Sequence, residues 1–238
     1  MIKKSKLILL AISFIFSLQA EAFLFKDDFE NDLCGTFPKG WSLSGWFRKN
    51  EHREHCRYIT NTESVSGEKS LAYDFSQMPI VTKSGPHPHA YTNKKLPPIR
   101  DGWVDISFCF KKELGSLTLE IRGEHKNGNG IKVPWWINIG DTVKIKSASA
   151  SRFDVVVAGN VRPKVWYRLN LKLPTINGGQ KEAQIRLDRY LGGGQFELGE
   201  FLSVPMGKMI LTAPYTHFDF SGYGQSKFFI DDVMCDER

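Results

Sequence analysis

The run His87-Pro88-His89-Ala90-Tyr91-Thr92-Asn93, followed by Lys94 and Lys95, gathers the residue types that proton transfer beside an anionic sugar requires. Elimination across a uronate needs an Arg or Asn to neutralise the carboxylate and a Tyr or His to move the proton. In an extended strand His89, Tyr91 and Asn93 share one face, because successive side chains alternate. The plainer reading of the same run is a loop that leads into a surface strand. A second histidine run, Glu51-His52-Arg53-Glu54-His55-Cys56, lacks the His-Glu-x-x-His order of a helical zinc site and is read as surface.

Other residues point to binding. Sugar rings present apolar C–H faces that flat aromatic side chains cover at low entropic cost, with polar groups fixing the hydroxyls. Trp135 and Trp136 are adjacent, so in a strand they point to opposite faces and one of them is free to leave the core. Trp46, with Phe47 and Arg48, forms a second candidate aromatic patch, and Arg122 stands at an outward position of a readable strand. Lys144, Lys146 and Arg186 are outward as well, where they could meet anionic sugars or simply solubilise the surface. Trp41, Trp103 and Trp166 are assigned to core or rim.

The ends of the chain carry paired acids, Asp27-Asp28-Phe29-Glu30 near the start and Asp231-Asp232 near the finish. Calcium takes six to eight hard oxygen ligands, so two acidic segments brought together could hold a stabilising Ca2+ through Asp28, Glu30 and Asp231. Solvent-facing acids paired with lysines are the alternative.

Residues 1–22 read as a secretory signal peptide: a basic start, an apolar stretch from Leu7 to Leu18, and a small-x-small end at Ala20-Glu21-Ala22. The apolar stretch is well short of the roughly 20 residues a spanning helix needs, so no membrane span is expected after cleavage. A secreted or periplasmic location follows. The formal charge of +6 includes three lysines and one glutamate of that segment, leaving residues 23–238 only mildly basic, far from the dense basic stripe of a nucleic-acid binder. Four cysteines in an exported chain suggest disulfides, and the expected pairs are Cys34 with Cys56 and Cys109 with Cys235.

Alternation with period two recurs along the chain. Val104, Ile106, Phe108 and Phe110 fall on one face of 103–111, and Leu117, Leu119 and Ile121 on one face of 117–122. The same pattern marks 71–75, 167–173 and 183–187. With glycine-rich joints between such segments and no capped helical spacing, the expectation is an all-β protein, a two-sheet antiparallel jelly-roll sandwich with residues 23–238 as one domain.

Read in order, Asp27-Asp28-Phe29-Glu30, Pro38-Lys39-Gly40-Trp41, Ser66-Gly67-Glu68-Lys69-Ser70-Leu71, Val104 to Phe110, Trp166 to Leu171 and Phe229-Ile230-Asp231-Asp232-Val233 resemble the concanavalin A-like lectin and glucanase superfamily, including its laminin G-like modules. The resemblance frames nearly the whole of 23–238. It implies two facing sheets, often with calcium near the joined termini, and frequently a carbohydrate ligand on a concave face. A laminarinase-type hydrolase of this kind would carry Glu-x-Asp-x-x-Glu, with carboxylates about 5 Å apart, and no such run exists here. The arginine-rich and Gln-x-His motifs of jelly-roll alginate lyases are missing too. The expectation is therefore a non-catalytic, lectin-like partner of a polysaccharide or cell-envelope glycan. A lyase or hydrolase acting on an acidic glycan comes second, and a structural or adhesive protein-binding domain third.

Overall fold

The computed structural model of the chain describes residues 24–43, 56–77, 89–124, 131–147, 155–206 and 214–237. Residues 1–22, expected from the sequence to be a signal peptide, and Trp46, His52, His55 and His87 lie outside them. The described residues form fourteen strands and no α-helix: β1 (Phe25–Asp27), β2 (Ser42–Leu43), β3 (Arg57–Thr60), β4 (Ser70–Asp74), β5 (His89–Ile99), β6 (Trp103–Glu124), β7 (Ile131–Ile139), β8 (Thr142–Ser147), β9 (Val156–Asn160), β10 (Trp166–Pro174), β11 (Glu182–Gly192), β12 (Gln195–Glu197), β13 (Leu202–Pro205) and β14 (Tyr215–Glu237).

Two strands are far longer than a single layer needs, and they build both layers. The first half of β6 pairs with β10 on one side and with the second half of β14 on the other. Its second half pairs with β7 and with the first half of β14. A first sheet thus runs β12-β11-β10-β6-β14-β4-β3, with β1 beside the end of β14 and β13 beside β11. A second sheet runs β9-β8-β7-β6-β14-β5-β2. All of these pairings are antiparallel.

The two sheets face each other across one core. Phe108 of the first sheet meets Phe220 of the second edge to face, ring centroids 5.0 Å apart, and Phe218 lies 6.2 Å from the same ring. Phe110 stacks on Tyr167, and Leu117, Leu119, Ile121, Ile137 and Ile145 close the second sheet's inner face. Inward positions on β6 change from even numbers at 104–110 to odd numbers at 117–121. That slip of one residue is where the strand passes from one sheet to the other. Gly115 sits in it with φ +71°, and β14 shifts register opposite, between Tyr223 and Lys227.

First and last strands lie side by side, as their acidic ends suggested: Phe25 is opposite Cys235, and Leu24 N–H donates to the Cys235 carbonyl. The expected disulfides are not formed. Cys109 belongs to an outer cluster with Ala72, Trp166 and Phe229, whereas Cys235 packs in the central core. Cys109 stands opposite Asp231, and Cys235 opposite Ile106. Side chains on opposite faces of a sheet cannot satisfy the Cβ geometry of a disulfide. Neither is Cys34, which is exposed, bonded to Cys56.

A Cβ at position 115 would stand 2.3 Å from the Gln225 carbonyl oxygen, at a φ that L residues avoid. Gly115→Ala is therefore expected to destabilise the protein by about 2–3 kcal/mol, combining backbone strain with displacement of a backbone group. Urea unfolding should show a lower midpoint at unchanged slope.

Candidate functional site

The face of the second sheet turned away from the core carries the polar residues that the alternation of β5, β6, β7, β8 and β14 leaves outside. Because the strands are in register, those residues form rows across the sheet. One row reads Ser42, Asn93, Asp219, Glu120, Trp136, Lys146. Beside it on one side stand Lys95, His217 and Arg122. On the other side come the positions of Tyr91, Ser221, Thr118, Asn138 and Lys144, and beyond them His89 opposite Tyr223.

The middle of this face is buried and its flank exposed. Asp219 and Ser221 are fully buried and Glu120 is 9% exposed, while Asn138, Lys144 and Lys146 at one flank are exposed. Arg122 joins the two carboxylates: its Nε is 2.6 Å from Asp219 Oδ2 and 3.0 Å from Glu120 Oε2. Burial pushes the Asp219 carboxyl up to about 6; Arg122 opposes that rise and Glu120 adds to it. Ser221 Oγ, next to this ion cluster, finds no hydrogen-bond partner among the described residues. A buried hydroxyl without a partner costs about 1–3 kcal/mol unless water or a ligand takes it.

The two adjacent tryptophans separate as their spacing requires. Trp135 is fully buried, and its Nε1–H donates to Tyr215 Oη at 2.9 Å, which donates in turn to the Pro174 carbonyl. It is a core residue, and the expectation that it contacts a ligand does not survive. Trp136 lies on the outer face, half-buried, with the Lys146 ammonium 5.3 Å above its ring. Arg122 is on the same face, in the row next to Trp136. Asn93 is there as well, and the backbone register gives His89 and Tyr91 positions of the same face. The binding candidates and the elimination candidates of the sequence are thus neighbours on one surface. Sequence reasoning missed Asp219, Ser221 and His217. Their strand was recognised only from Phe228 onward, although His217-Phe218-Asp219-Phe220-Ser221 alternates plainly.

The residues expected to hold calcium meet at the junction of the termini but do not assemble as ligands. Glu30 Oε1 accepts the N–H groups of Glu68 and Lys69, and Asp231 Oδ2 those of Val65 and Ser66. Asp28 Oδ1 accepts the Glu30 N–H. The Lys69 ammonium donates to the carbonyls of Glu30 and Asp32, at 2.6 and 2.9 Å. Carboxylates that cap a loop's backbone, with an ammonium on the nearby carbonyls, do not fit a calcium cage. Among the described residues no group of three or more acidic, His or Cys side chains converges.

Solved structures of known proteins share this architecture. The chain is similar to the marine PL-14 alginate lyase from Aplysia kurodai, with a TM-score of 0.58 at 7% identity over 91% of this chain and 99% of that one. It is similar as well to a structure from work on the endo-acting O-glycanases that human gut microbiota express to initiate mucin breakdown, with a TM-score of 0.54 at 10% identity over 91% and 100%. A third is the Emp47p carbohydrate recognition domain, with a TM-score of 0.51 at 7% identity over 90% and 95%. The fold is an antiparallel jelly-roll sandwich. No family model matches the sequence, and no curated protein does. Identities this low establish the jelly roll and nothing about its ligand.

Two measurements test the electrostatics of this jelly roll. Asp231 is pushed up to about 7, by burial first and by the adjacent Asp232 charge, against the N–H bonds it accepts. With Asp219 near 6 as well, both groups hold protons in the folded protein that the unfolded chain has released above its ordinary pKa of about 4. Their stabilising contribution is complete at low pH and is lost as pH rises through 6 and then 7. Asp231→Asn, neutral throughout, is expected to reduce the loss of melting temperature between about pH 5 and pH 8. At the termini, Lys69→Ala should cost about 1–3 kcal/mol, whereas a chelator should leave the melting temperature of the unaltered protein where it was.

Proposed function

We propose that the protein is exported and binds an acidic polysaccharide along the outer face of the second sheet. The observation that carries this reading is the register of that face. A half-buried tryptophan stands in line with Glu120, Asp219 and Asn93, flanked by Lys95, Arg122, Lys144 and Lys146. The ring offers a platform for a sugar's C–H face, the carboxylates and amides accept and donate to hydroxyls, and the cations outnumber the carboxylates. Complementary charge draws an anionic chain to such a surface. The similar folds add support, since the three solved relatives are an alginate lyase, a structure from work on O-glycanases and a carbohydrate recognition domain.

A second reading, elimination on the bound chain, is favoured by one specific observation. The positions of His89 and Tyr91 lie opposite Tyr223 and Ser221 on the face that carries Arg122, so proton-moving and charge-neutralising residue types adjoin the same buried middle. Binding without turnover is the reading preferred, because Arg122 is engaged by Glu120 and Asp219 rather than open to a substrate carboxylate.

The test is migration of the purified protein through native gels that contain acidic or neutral polysaccharides, with the length of each polymer measured afterwards. Retardation by an acidic polymer of unchanged length is the expected outcome. Trp136→Ala should weaken that retardation by about tenfold at nearly constant melting temperature, while Trp135→Ala should cost about 3–5 kcal/mol of stability. Shortening with ultraviolet-absorbing unsaturated ends would establish the elimination reading. No retardation by any polymer would overturn both.

A further inference from the structure

The outer face of the first sheet, on the opposite side of the molecule, holds a cleft of about 370 Å³. Its walls come from β6, β10, β11 and β14 and from the segment that returns from β12 to β13. Two rows line its floor. Asp236, Asp105 and Lys172 stand in line across three strands, and Met234, Ser107, Asn170 and Arg186 form the row next to it. Phe201 closes one side, 37% exposed, with Arg186 4.5 Å and Lys172 5.0 Å from its ring centre.

Behind this wall lies a fully buried carboxylate. Asp188 Oδ2 accepts from Arg168 Nε and Nη2, from Asn170 Nδ2 and from Arg186 Nη2, at 2.9 to 3.2 Å. Its Oδ1 lies 2.9 Å from Arg186 Nε and accepts the Gly199 N–H at 3.1 Å. One buried acid therefore fixes two side chains of the cleft and ties down the segment that carries Phe201. A surface ion pair needs no such arrangement. Holding donors in place before a ligand arrives removes the ordering cost that binding otherwise carries.

We propose that this cleft is a second glycan-binding site, separate from the face of the second sheet, and that it takes a neutral hexopyranose chain. The chemistry of the walls selects that class. Among the described residues, Lys172, Arg186 and Arg168 are met by Asp105, Asp236 and the buried Asp188, so no excess of positive charge favours an anionic polymer. Sugar hydroxyls both donate and accept, which suits a site offering fixed donors on one wall and carboxylate acceptors on the other. The exposed part of Phe201, beside the Arg186 and Lys172 groups over its ring, supplies an apolar contact for a sugar's C–H groups. Occupied together, the two faces would let one molecule join two different polymers.

Titration with neutral oligosaccharides followed by calorimetry, on the protein unaltered and as Trp136→Ala, tests the proposal. Binding that is equal in both, and weakened about tenfold or more by Phe201→Ala, is expected. Ser107→Arg fills the cleft from its floor while leaving Asp188 and both of its arginines in place, and it should abolish binding at nearly unchanged melting temperature. If no neutral oligosaccharide binds, or if binding is lost in Trp136→Ala and kept in Ser107→Arg, the proposal fails. Loss of acidic-polymer retardation leaves it standing, because that reading concerns the other face.

Discussion

Everything in this molecule hangs on two strands that each belong to both sheets. β6 and β14 run antiparallel to one another through both layers, and the pair bends between them at Gly115 and the register shift before Lys227. A sandwich whose layers were joined only by loops could let them slide. Here the backbone hydrogen bonds of one ladder continue from layer to layer, so the register in the first sheet fixes the register in the second. The remaining strands add outward from this pair. A one-residue slip would exchange inner for outer residues throughout the sheet it affected, which makes the bend the point of greatest specification.

That constraint explains why both outer faces carry ordered polar rows. Once β6 and β14 are fixed, the neighbours β5, β7 and β8 must align Asn93, Asp219, Glu120, Trp136 and Lys146 across the second sheet. The neighbours β10 and β11 must in the same way align Met234, Ser107, Asn170 and Arg186 across the first. Each face is organised around a buried aspartate with arginine partners, Asp219 on one side and Asp188 on the other. Taking a carboxylate out of water is expensive, and truncating either partner of such a pair leaves an uncompensated charge. Clusters of this kind are a poor way to gain stability and a good way to hold side chains in one orientation. Fixed donors are what a hydroxyl-rich ligand needs.

The layers were legible because burial on one face writes period two into the chain. Val104 to Phe110 and Leu117 to Ile121 were readable as strands, as were 71–75, 167–173 and 183–187. What could not be read was that the first two of these are one strand. The change from even to odd inward positions between Phe110 and Leu117 looks in sequence like the end of one strand and the start of another, and only pairing with β14 shows it as a bend. The same parity defeated the Cys109–Cys235 pairing, since the shift between Asp231 and Met234 reverses which face the last residues occupy. Trp135 and Trp136 show the opposite case. Adjacency alone required opposite faces, but choosing the inward one needed the neighbouring strands.

The acidic ends teach a different lesson about reading function from residue type. Asp28, Glu30 and Asp231 have the chemistry of calcium ligands, and pairing of the first and last strands does bring their segments together. Yet a carboxylate has few lone-pair directions, and the loop at 65–69 fills several with backbone N–H groups. The backbone carbonyls that could complete a cage receive the Lys69 ammonium instead. Sequence shows which groups could act, whereas only the hydrogen-bond partners show which are already occupied. By the same standard Arg122, engaged twice, is a positioned element of its face. Ser221 Oγ, beside Asp219, is a buried polar atom of that face without a hydrogen-bond partner among the described residues. A hydroxyl reaching Ser221 would meet its hydrogen-bonding need, so the proposed binding surface takes in the ground beside Asp219 as well as the exposed lysines.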